Sequence, residues 1–374
     1  MDPDSKRPEW APEGAGSEFA SRVIPGAGSG ADPSGAGRAV PATPSSRAPT
    51  TDELERGVRA GERMWLARAI TLIESNAPRH LDSAQALLRR LLPDTGRSIR
   101  IGITGVPGVG KSTFIEVFGL RLCEAGHRVA VLTVDPSSSL SGGSVLGDKT
   151  RMEKLSRHPA AFIRPSPAGG NLGGVARKTR ESLLVCEAAG FDVVLVETVG
   201  VGQSEVAVRS MVDFFLLLML AGAGDELQGM KKGIMEMADA VAVTKADGLN
   251  AAVAEAARLG LEQVLHVLTP ATEGWRGAAL SCSALTGLGI DRIQEMIADF
   301  RGKTIASGAL ERRRKSQARS WLHHLLDEQL RKRFFDDPVV KEALVGMERA
   351  VMEGEITPTS AARVLLDRHF QRIG

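Results

Sequence analysis

Hydrophobic residues recur along this chain in two patterns, which divide it into a central segment and two flanking ones. Short, mostly apolar runs in the centre predict seven buried strands, at residues 99–104, 129–135, 161–164, 193–197, 214–220, 240–244 and 279–282. In the first of them isoleucines alternate with small or polar residues, as in a strand. Helical stretches separate these runs, which is typical of a mostly parallel sheet with helices on both faces. The sequence therefore predicts an α/β domain over residues 98–302.

The segments on either side of this domain are helical in pattern. Residues 52–97 predict two helices that form an N-terminal cap on the sheet domain, the second starting near Leu81 and ending at Pro93. Residues 303–374 predict a helical arm. One stripe of its first helix is apolar and consists of Trp321, Leu322, Leu325, Leu326, Leu330 and Phe334. Such a stripe can pair two copies of the chain or pack on the chain's own domain, and we favour a homodimer.

Composition narrows the classes of function. Residues 1–51 are rich in Gly, Pro, Ser and Ala and predict disorder, because they cannot bury enough apolar surface. Lys and Arg number 47 against 45 Asp and Glu, and this balance argues against a dedicated nucleic-acid binder. The basic run at residues 312–315 is expected to be a solvated helix face. Without a signal-peptide core or an apolar run long enough for a membrane span, and with three dispersed cysteines, the chain is expected to be cytoplasmic.

The clearest chemical signal is the stretch at residues 101–113, which reads I-G-I-T-G-V-P-G-V-G-K-S-T. A predicted strand leads into it and an apolar-periodic helix follows it, so its glycines form the turn of a phosphate-binding loop. The backbone N–H groups of such a loop and the start of the helix attract phosphate. The predicted nucleotide contacts are Gly105, Gly108, Val109, Gly110, Lys111, Ser112 and Thr113. The Lys111 ammonium is expected at the β- and γ-phosphates, and the Ser112 hydroxyl on Mg²⁺.

Acidic residues near the ends of predicted strands suit a magnesium site. Glu197 closes the apolar strand V-V-L-V-E, which is the Walker-B arrangement. Asp135 ends an earlier strand, and Asp148 lies in the Gly- and Ser-rich stretch after it. Since Mg²⁺ prefers oxygen ligands, we expect Ser112, Asp135, Asp148 and Glu197 to form its site. Asp135 could also cap the turn that the following proline favours.

The segment after Glu197 reads T-V-G-V-G-Q-S-E and predicts a loop that senses the nucleotide. Gly200 would let a backbone N–H approach the γ-phosphate, as in switch loops. Gln203 is a candidate for positioning the attacking water. The predicted catalytic residues are therefore Lys111, Glu197 and Gln203.

Two later loops carry signals for guanine. T-K-A-D at residues 244–247 follows a strand and is close to the Asn-Lys-x-Asp motif of GTPases, with Thr244 in place of Asn. Asp247 can accept hydrogen bonds from the guanine N1–H and exocyclic amine, which adenine does not offer, while the Lys245 stem lies along the base. S-C-S-A-L-T-G, again after a strand, resembles the last guanine-contacting loop, with predicted contacts at Ser283, Ala284 and Leu285. These motifs in this order favour GTP over ATP.

Together these motifs resemble the MeaB/ArgK family of P-loop GTPases, from about residue 53 to the C-terminus. The most specific pieces are G-V-P-G-V-G-K-S-T, V-D-P-S-S, E-T-V-G-V-G-Q-S-E and A-G-A-G-D-E-L-Q-G-M-K-K-G at residues 221–233. The resemblance implies a GTP- and Mg²⁺-dependent hydrolase with a P-loop fold that dimerises through its C-terminal helices.

The resemblance also implies a partner. In this family the D-E-L-Q-G-x-K-K segment is a third switch that couples the nucleotide state to an acyl-CoA mutase. The corresponding residues here are Asp225, Gln228, Lys231 and Lys232. The chain would then be a chaperone that gates adenosylcobalamin loading of the mutase, foremost methylmalonyl-CoA mutase, and protects or reactivates it. The adenosylcobalamin would belong to the mutase, since this chain lacks an Asp-x-His-x-x-Gly signature.

Two other functions are alternatives to the chaperone. A GTPase that inserts nickel into an enzyme needs a Cys/His cluster near the nucleotide, whereas Cys123, Cys186 and Cys282 are dispersed. Kinase-like transfer of the γ-phosphate to a transport protein needs an acid or base for the acceptor hydroxyl, which these motifs do not supply.

Overall fold

A parallel sheet forms the centre of the molecule. The computed structural model describes residues 48–134, 152–165, 172–198, 203–222 and 232–373. Within them, seven strands pair in the order β3-β2-β4-β1-β5-β6-β7. These strands are β1 (Ile99–Gly105), β2 (Val129–Val134), β3 (Ala161–Arg164), β4 (Val193–Thr198), β5 (Phe214–Leu220), β6 (Ala240–Thr244) and β7 (Ala278–Ser281). The predicted α/β class with a parallel sheet is confirmed, and each predicted strand end lies within about one residue of the observed one.

Helices precede, connect and follow the strands. They are α1 (Thr51–Arg59), α2 (Arg63–Glu74), α3 (Pro78–Leu91), α4 (Lys111–Glu124), α5 (Glu153–Arg157), α6 (Leu172–Ala188), α7 (Gln203–Arg209), α8 (Lys232–Met237), α9 (Ala251–Val267), α10 (Ile290–Ala306), α11 (Ala309–Asp336), α12 (Pro338–Met352) and α13 (Pro358–Ile373). None of the helices in the described ranges is long and apolar enough to cross a membrane.

Each face of the sheet is covered by its own apolar layer. Helices α1, α2, α3, α6 and α7 bury one face, which includes Phe215 of β5. Helices α4, α5 and α10 bury the other face, where Phe214 meets Phe300 edge to face with ring centroids 4.9 Å apart. Because both faces are buried, most strand sequences are continuous apolar runs, whereas in β1 the isoleucines alternate with small or polar residues.

The N-terminal cap contains three helices, where the apolar periodicity predicted two. Helix α1 begins at a capping box, in which the Thr50 hydroxyl accepts from the Glu53 N–H (3.2 Å) and the Glu53 carboxylate accepts from the Thr50 N–H (2.7 Å). It ends before Gly61, which has a φ of +69°, a left-handed conformation that glycine adopts readily. Apolar residues recur at helical spacing on both sides of this break, so periodicity alone does not reveal it.

The basic run at residues 312–315 corrects a second expectation, because only half of it is solvated. The Arg312 and Lys315 side chains are 56% and 76% exposed, whereas those of Arg313 and Arg314 are 15% and 18% exposed. Arg314 donates from Nε and Nη2 to the two carboxylate oxygens of Asp213, at 2.8 and 2.6 Å. Asp213 is fully buried just before β5, so this pair fixes α11 to the base of the sheet.

Neighbouring residues strengthen this attachment, which we call the α11 anchor (Arg313, Arg314 and Gln317). Arg313 lies 3.7 Å from the buried carboxylate of Asp239, which also pairs at 2.7 Å with Arg209 at the end of α7. The Gln317 amide donates to the Val212 carbonyl (2.8 Å). Burial lowers the pKa of Arg313 to about 10, and the carboxylates of Asp239 and Asp213 oppose that shift. The anchor therefore joins α11 to both β5 and α7.

Candidate functional site

The phosphate-binding loop lies between the end of β1 and the start of α4. Gly108 and Gly110 have φ values of +82° and +95°, so the loop needs the conformational freedom of glycine at these two positions. Gly110 directly precedes Lys111, the first residue of α4. Val109 between the glycines is fully buried, which fixes the middle of the loop against the core. The free N–H groups of the first turn of α4 thus face the concave side of a rigid turn.

Lys111 is folded back onto its own loop. Its ammonium donates to the carbonyls of Gly105 (2.8 Å) and Val106 (3.2 Å), and the residue is only 9% exposed. Burial lowers the pKa of Lys111, while the nearby carboxylates of Glu197 and Glu205 oppose that shift. A cation held by two neutral carbonyls is poised to exchange them for anionic phosphate oxygens, which bind a cation more strongly.

The Walker-B acid meets the serine of the loop. Glu197 lies on β4 with 8% exposure, and the Ser112 hydroxyl donates to its Oε1 at 3.0 Å. A hydroxyl and a carboxylate at this separation are oxygen ligands of the kind that Mg²⁺ prefers, and a nucleotide phosphate and waters can supply the rest. Among the described residues, no group of three or more His, Cys, Asp or Glu side chains could hold a metal by itself. The donor set therefore fits a Mg²⁺ ion that is bound jointly by protein and nucleotide.

Behind these residues lies a buried polar network that the sequence motifs do not reveal. The Thr198 hydroxyl of β4 donates to the Thr104 hydroxyl of β1 (2.8 Å), and Thr104 lies 3.4 Å from the Glu205 carboxylate of α7. Glu205 is 2% exposed, and the Ser204 hydroxyl also donates to it (3.3 Å). In the sequence, its one visible member is Glu205, the second Glu of the E-T-V-G-V-G-Q-S-E stretch. The network links the first turn of α7 to the two strands that carry the phosphate site.

The T-K-A-D loop contacts the phosphate loop directly. The Thr244 hydroxyl lies 2.9 Å from the Val109 carbonyl and 3.2 Å from that of Met219, and it can donate to one of them at a time. Lys245 has a φ of +56°, and its ammonium donates to the Gly108 carbonyl (3.0 Å). Thr244, at the position usually held by Asn, therefore still joins β6 to the phosphate loop.

Asp247 and Ser283 bring the two predicted base-reading loops together. The Ser283 hydroxyl donates to the Asp247 carboxylate, and the N–H of Ala246 donates to the Cys282 carbonyl at 3.0 Å. Ser283 is fully buried, whereas Leu285 is 85% exposed at the loop surface. The Asp247 carboxylate is thus oriented by a buried hydroxyl and keeps an acceptor oxygen for a ligand.

The structure gathers most of the predicted site residues at the carboxyl ends of the parallel strands. Gly105, Gly108, Val109, Gly110, Lys111, Ser112, Thr113 and Glu197 surround the phosphate loop, and Thr244, Lys245, Asp247, Ser283, Ala284 and Leu285 form the two adjoining loops. The other candidates lie outside the described residues: Asp135, Asp148, Gly200, Asp225, Gln228 and Lys231, with the side chains of Gln203 and Lys232.

A glycine-rich turn from a parallel strand into a helix, beside an acid on the neighbouring strand, defines a P-loop nucleotide-binding protein. Over residues 66–339 the sequence matches the family described as Methylmalonyl Co-A mutase-associated GTPase MeaB. The chain belongs to this family.

Individual relatives agree with the family match over most of their length. GTPase ArgK of Escherichia coli is 47% identical over 320 residues, which cover 84% of this chain and 96% of the relative. The mouse protein named methylmalonic aciduria type A homolog, mitochondrial, is 46% identical over 327 residues, covering 84% and 78%. A crystal structure described as LAO/AO transport system kinase is 40% identical with a TM-score of 0.70, covering 85% of this chain and 96% of that one.

Proposed function

We propose that this chain binds GTP at the phosphate loop, hydrolyses it with Mg²⁺, and uses the cycle to serve an adenosylcobalamin-dependent acyl-CoA mutase. The observation that carries the nucleotide part is the direct contact between loops: Thr244 and Lys245 reach the carbonyls of Val109 and Gly108. A base held near Asp247 would therefore have its phosphates at Lys111. Membership of the MeaB family supports the mutase part.

In this proposal, the residues around the phosphate loop divide the work of hydrolysis. Ser112 and Glu197 would hold Mg²⁺, which neutralises phosphate charge when bound. The Lys111 ammonium would leave the carbonyls of Gly105 and Val106 and bind the β- and γ-phosphate oxygens, where charge develops in the transition state. Gln203 at the start of α7 would orient the water, with Gly200 at the γ-phosphate.

Asp247 would select the base by accepting hydrogen bonds from the guanine N1–H and amine. We expect Asp247→Asn to lower the preference for GTP over ATP in kcat/KM by about tenfold to a hundredfold, since a hydrogen bond to a charged group contributes about 1.5–3 kcal/mol. Asp291→Asn, at an exposed position on α10, is the matched control. Unchanged discrimination in Asp247→Asn would mean that another loop reads the base.

Two copies of the chain would associate through the C-terminal helices. Leu322, Leu326 and Leu330 recur every fourth residue along α11 and are 55%, 49% and 64% exposed. An apolar stripe of this kind is unusual on a surface facing only water. We expect Leu326→Glu to yield a monomer by size-exclusion chromatography with light scattering, while Leu259→Glu, at a 50% exposed position on α9, keeps the wild-type mass. Equal masses for the wild type and both variants would contradict pairing through this stripe.

The mutase partnership is tested by GTP turnover with and without methylmalonyl-CoA mutase, and with ATP as the control nucleotide. A GTP-selective rate that changes when the mutase is added supports the chaperone, with residues 225–232 as the coupling segment. A GTP-selective rate indifferent to that mutase keeps the GTPase and removes this partner. Phosphate appearing on a protein instead of in solution would favour the kinase function that the name of one related structure states.

The cytoplasm is the compartment that we propose for this activity. All three cysteines are buried free thiols, and burial raises the pKa of Cys282 to about 12. Thiols of this kind suit a reducing compartment, since nothing in their setting activates them for disulfide exchange.

A further inference from the structure

A second cavity system lies at the opposite end of the sheet from the phosphate loop. An apolar chamber of about 310 Å³ is lined by the first residues of β1 and β4, the C-terminal half of α4, His127 and one face of α10. It is open to solvent on the side of α10, where Ala298, Gly302 and Ile305 are exposed. The phosphate loop begins at Gly105, one strand length from Ile99 in the chamber wall, or about 20 Å. The chamber is therefore separate from the nucleotide site, although α4 extends from one to the other.

A basic groove of about 630 Å³ adjoins the chamber, and both are lined by Arg301 and Ile305 of α10. Four cations line the groove: Arg97, Arg301, Arg314 and Lys315. Arg314 is neutralised by Asp213 and Lys315 by Glu311. Arg301 donates to the Arg97 carbonyl (3.0 Å), and in the part of the chain that the structure describes neither arginine has a carboxylate partner. The positive charge not balanced by protein carboxylates is thus at the mouth of the chamber.

Gly302 is an exposed residue of α10 that lines the chamber. It lies inside α10, where glycine is less favourable than alanine, and its φ is not in the left-handed region. A Cβ at Gly302 would have no heavy atom within 4 Å apart from the neighbouring helix backbone, so close packing does not require the glycine either. A larger side chain at this position would add bulk at the chamber lining.

We propose that this cavity system binds an anionic amphiphile, with the apolar chain in the chamber and a carboxylate or phosphate head on Arg301 and Arg97. An apolar cavity with a few polar groups at one end is the usual form of a small-ligand site. Guanidinium groups bind carboxylate and phosphate in the same forked geometry, so the head group can be of either kind. The site is independent of the GTPase proposal, because it shares no residue with the phosphate loop.

The experiment is isothermal titration of the full chain with decanoate and decyl phosphate, both kept below their micelle concentrations. We expect saturable binding of one molecule per chain, and the tighter probe identifies the head group. Octanoate should bind more weakly than decanoate by about fourfold per methylene removed, because each buried CH₂ contributes to transfer from water. Decanol should bind at least about tenfold more weakly than the tighter anion, because it cannot form a charge-assisted pair with the arginines.

Two variants locate the ligand, and each has a matched control. Arg301→Gln should weaken binding at least about tenfold, whereas Arg292→Gln, on the same helix outside both cavities, should not. Gly302→Leu should abolish binding while raising the unfolding temperature, since leucine favours a helix more than glycine does. Gly260→Leu, an equally open glycine on α9, should leave binding unchanged. Absence of saturable binding, or wild-type affinity in both cavity variants, would overturn the proposal.

Discussion

Lys111→Ala is expected to reduce GTP turnover by about a hundredfold to a thousandfold. This is the usual loss when one donor that stabilises charge in the transition state is removed. The reason is geometric as well as electrostatic. The ammonium is buried between two loop carbonyls at the start of α4, beside the Ser112 and Glu197 pair. The Lys245 ammonium also contacts the loop, but at the Gly108 carbonyl and from the T-K-A-D loop, away from the two carbonyls that hold Lys111. The measurement is kcat at saturating GTP.

The fold should survive this substitution, because Lys111 contacts its own loop and not the sheet core. An unchanged far-ultraviolet circular dichroism spectrum in the nucleotide-free protein would establish that. Lys111→Arg keeps the charge but not the geometry and should stay close to the alanine variant. Lys303→Ala, at an exposed position on α10, is the control and should keep full activity. Near-normal turnover in Lys111→Ala would remove the phosphate loop from the mechanism.

Asp213→Ala is expected to lower the free energy of unfolding by about 3–5 kcal/mol. Asp213 accepts from Nε and Nη2 of Arg314 and from the backbone N–H of Arg100 (2.8 Å), and it is fully buried. Burial by itself would lower the pKa of Arg314, and the bonds to Asp213 reverse this and raise it. Removal of the carboxylate therefore leaves a buried cation without its charge partner.

Urea unfolding followed by tryptophan fluorescence measures this loss. Asp299→Ala is the matched control, because Asp299 also pairs with a cation, at 2.8 Å from Lys303, but is 51% exposed. An exposed pair of this kind contributes at most about 1 kcal/mol. If the two alanine variants lost equal stability, the Asp213 pair would not be the attachment that holds α11.

Most of the sheet could be predicted from sequence, because its cause is local. A strand buried on both faces must be apolar at nearly every position, and most of the seven runs show this over four to seven neighbouring residues. In β1 the isoleucines alternate with small or polar residues, which is also a local strand pattern. The phosphate loop is also local, since one turn contains its glycines, lysine and serine. Apolar spacing does not predict the break at Gly61, because that spacing continues across it.

Contacts between distant parts of the chain could not be predicted in the same way. Arg313 and Arg314 look like solvated residues in sequence, and Asp213, which buries Arg314, lies 101 positions earlier. The contact of Thr244 with Val109 spans 135 positions. From sequence, Thr244 is only a departure from the Asn-Lys-x-Asp motif, and its contact between the two loops is not predictable. The cavity proposed for an amphiphile depends on how α4, α10 and two strands pack together, which the sequence pattern does not predict.

The α11 anchor connects this helix to α7. Helix α11 has 28 residues and is therefore about 42 Å long. The α11 anchor holds its first turns, and Trp321 stacks under Arg180 of α6 further along, with 4.6 Å from the guanidinium to the ring centroid. One point of its attachment is Asp239, which also binds Arg209 at the end of α7. A rotation of α11 by a few degrees about this point would displace its far end by a few ångström. A movement of α7 beside the phosphate site would therefore be transmitted to a helix of 28 residues.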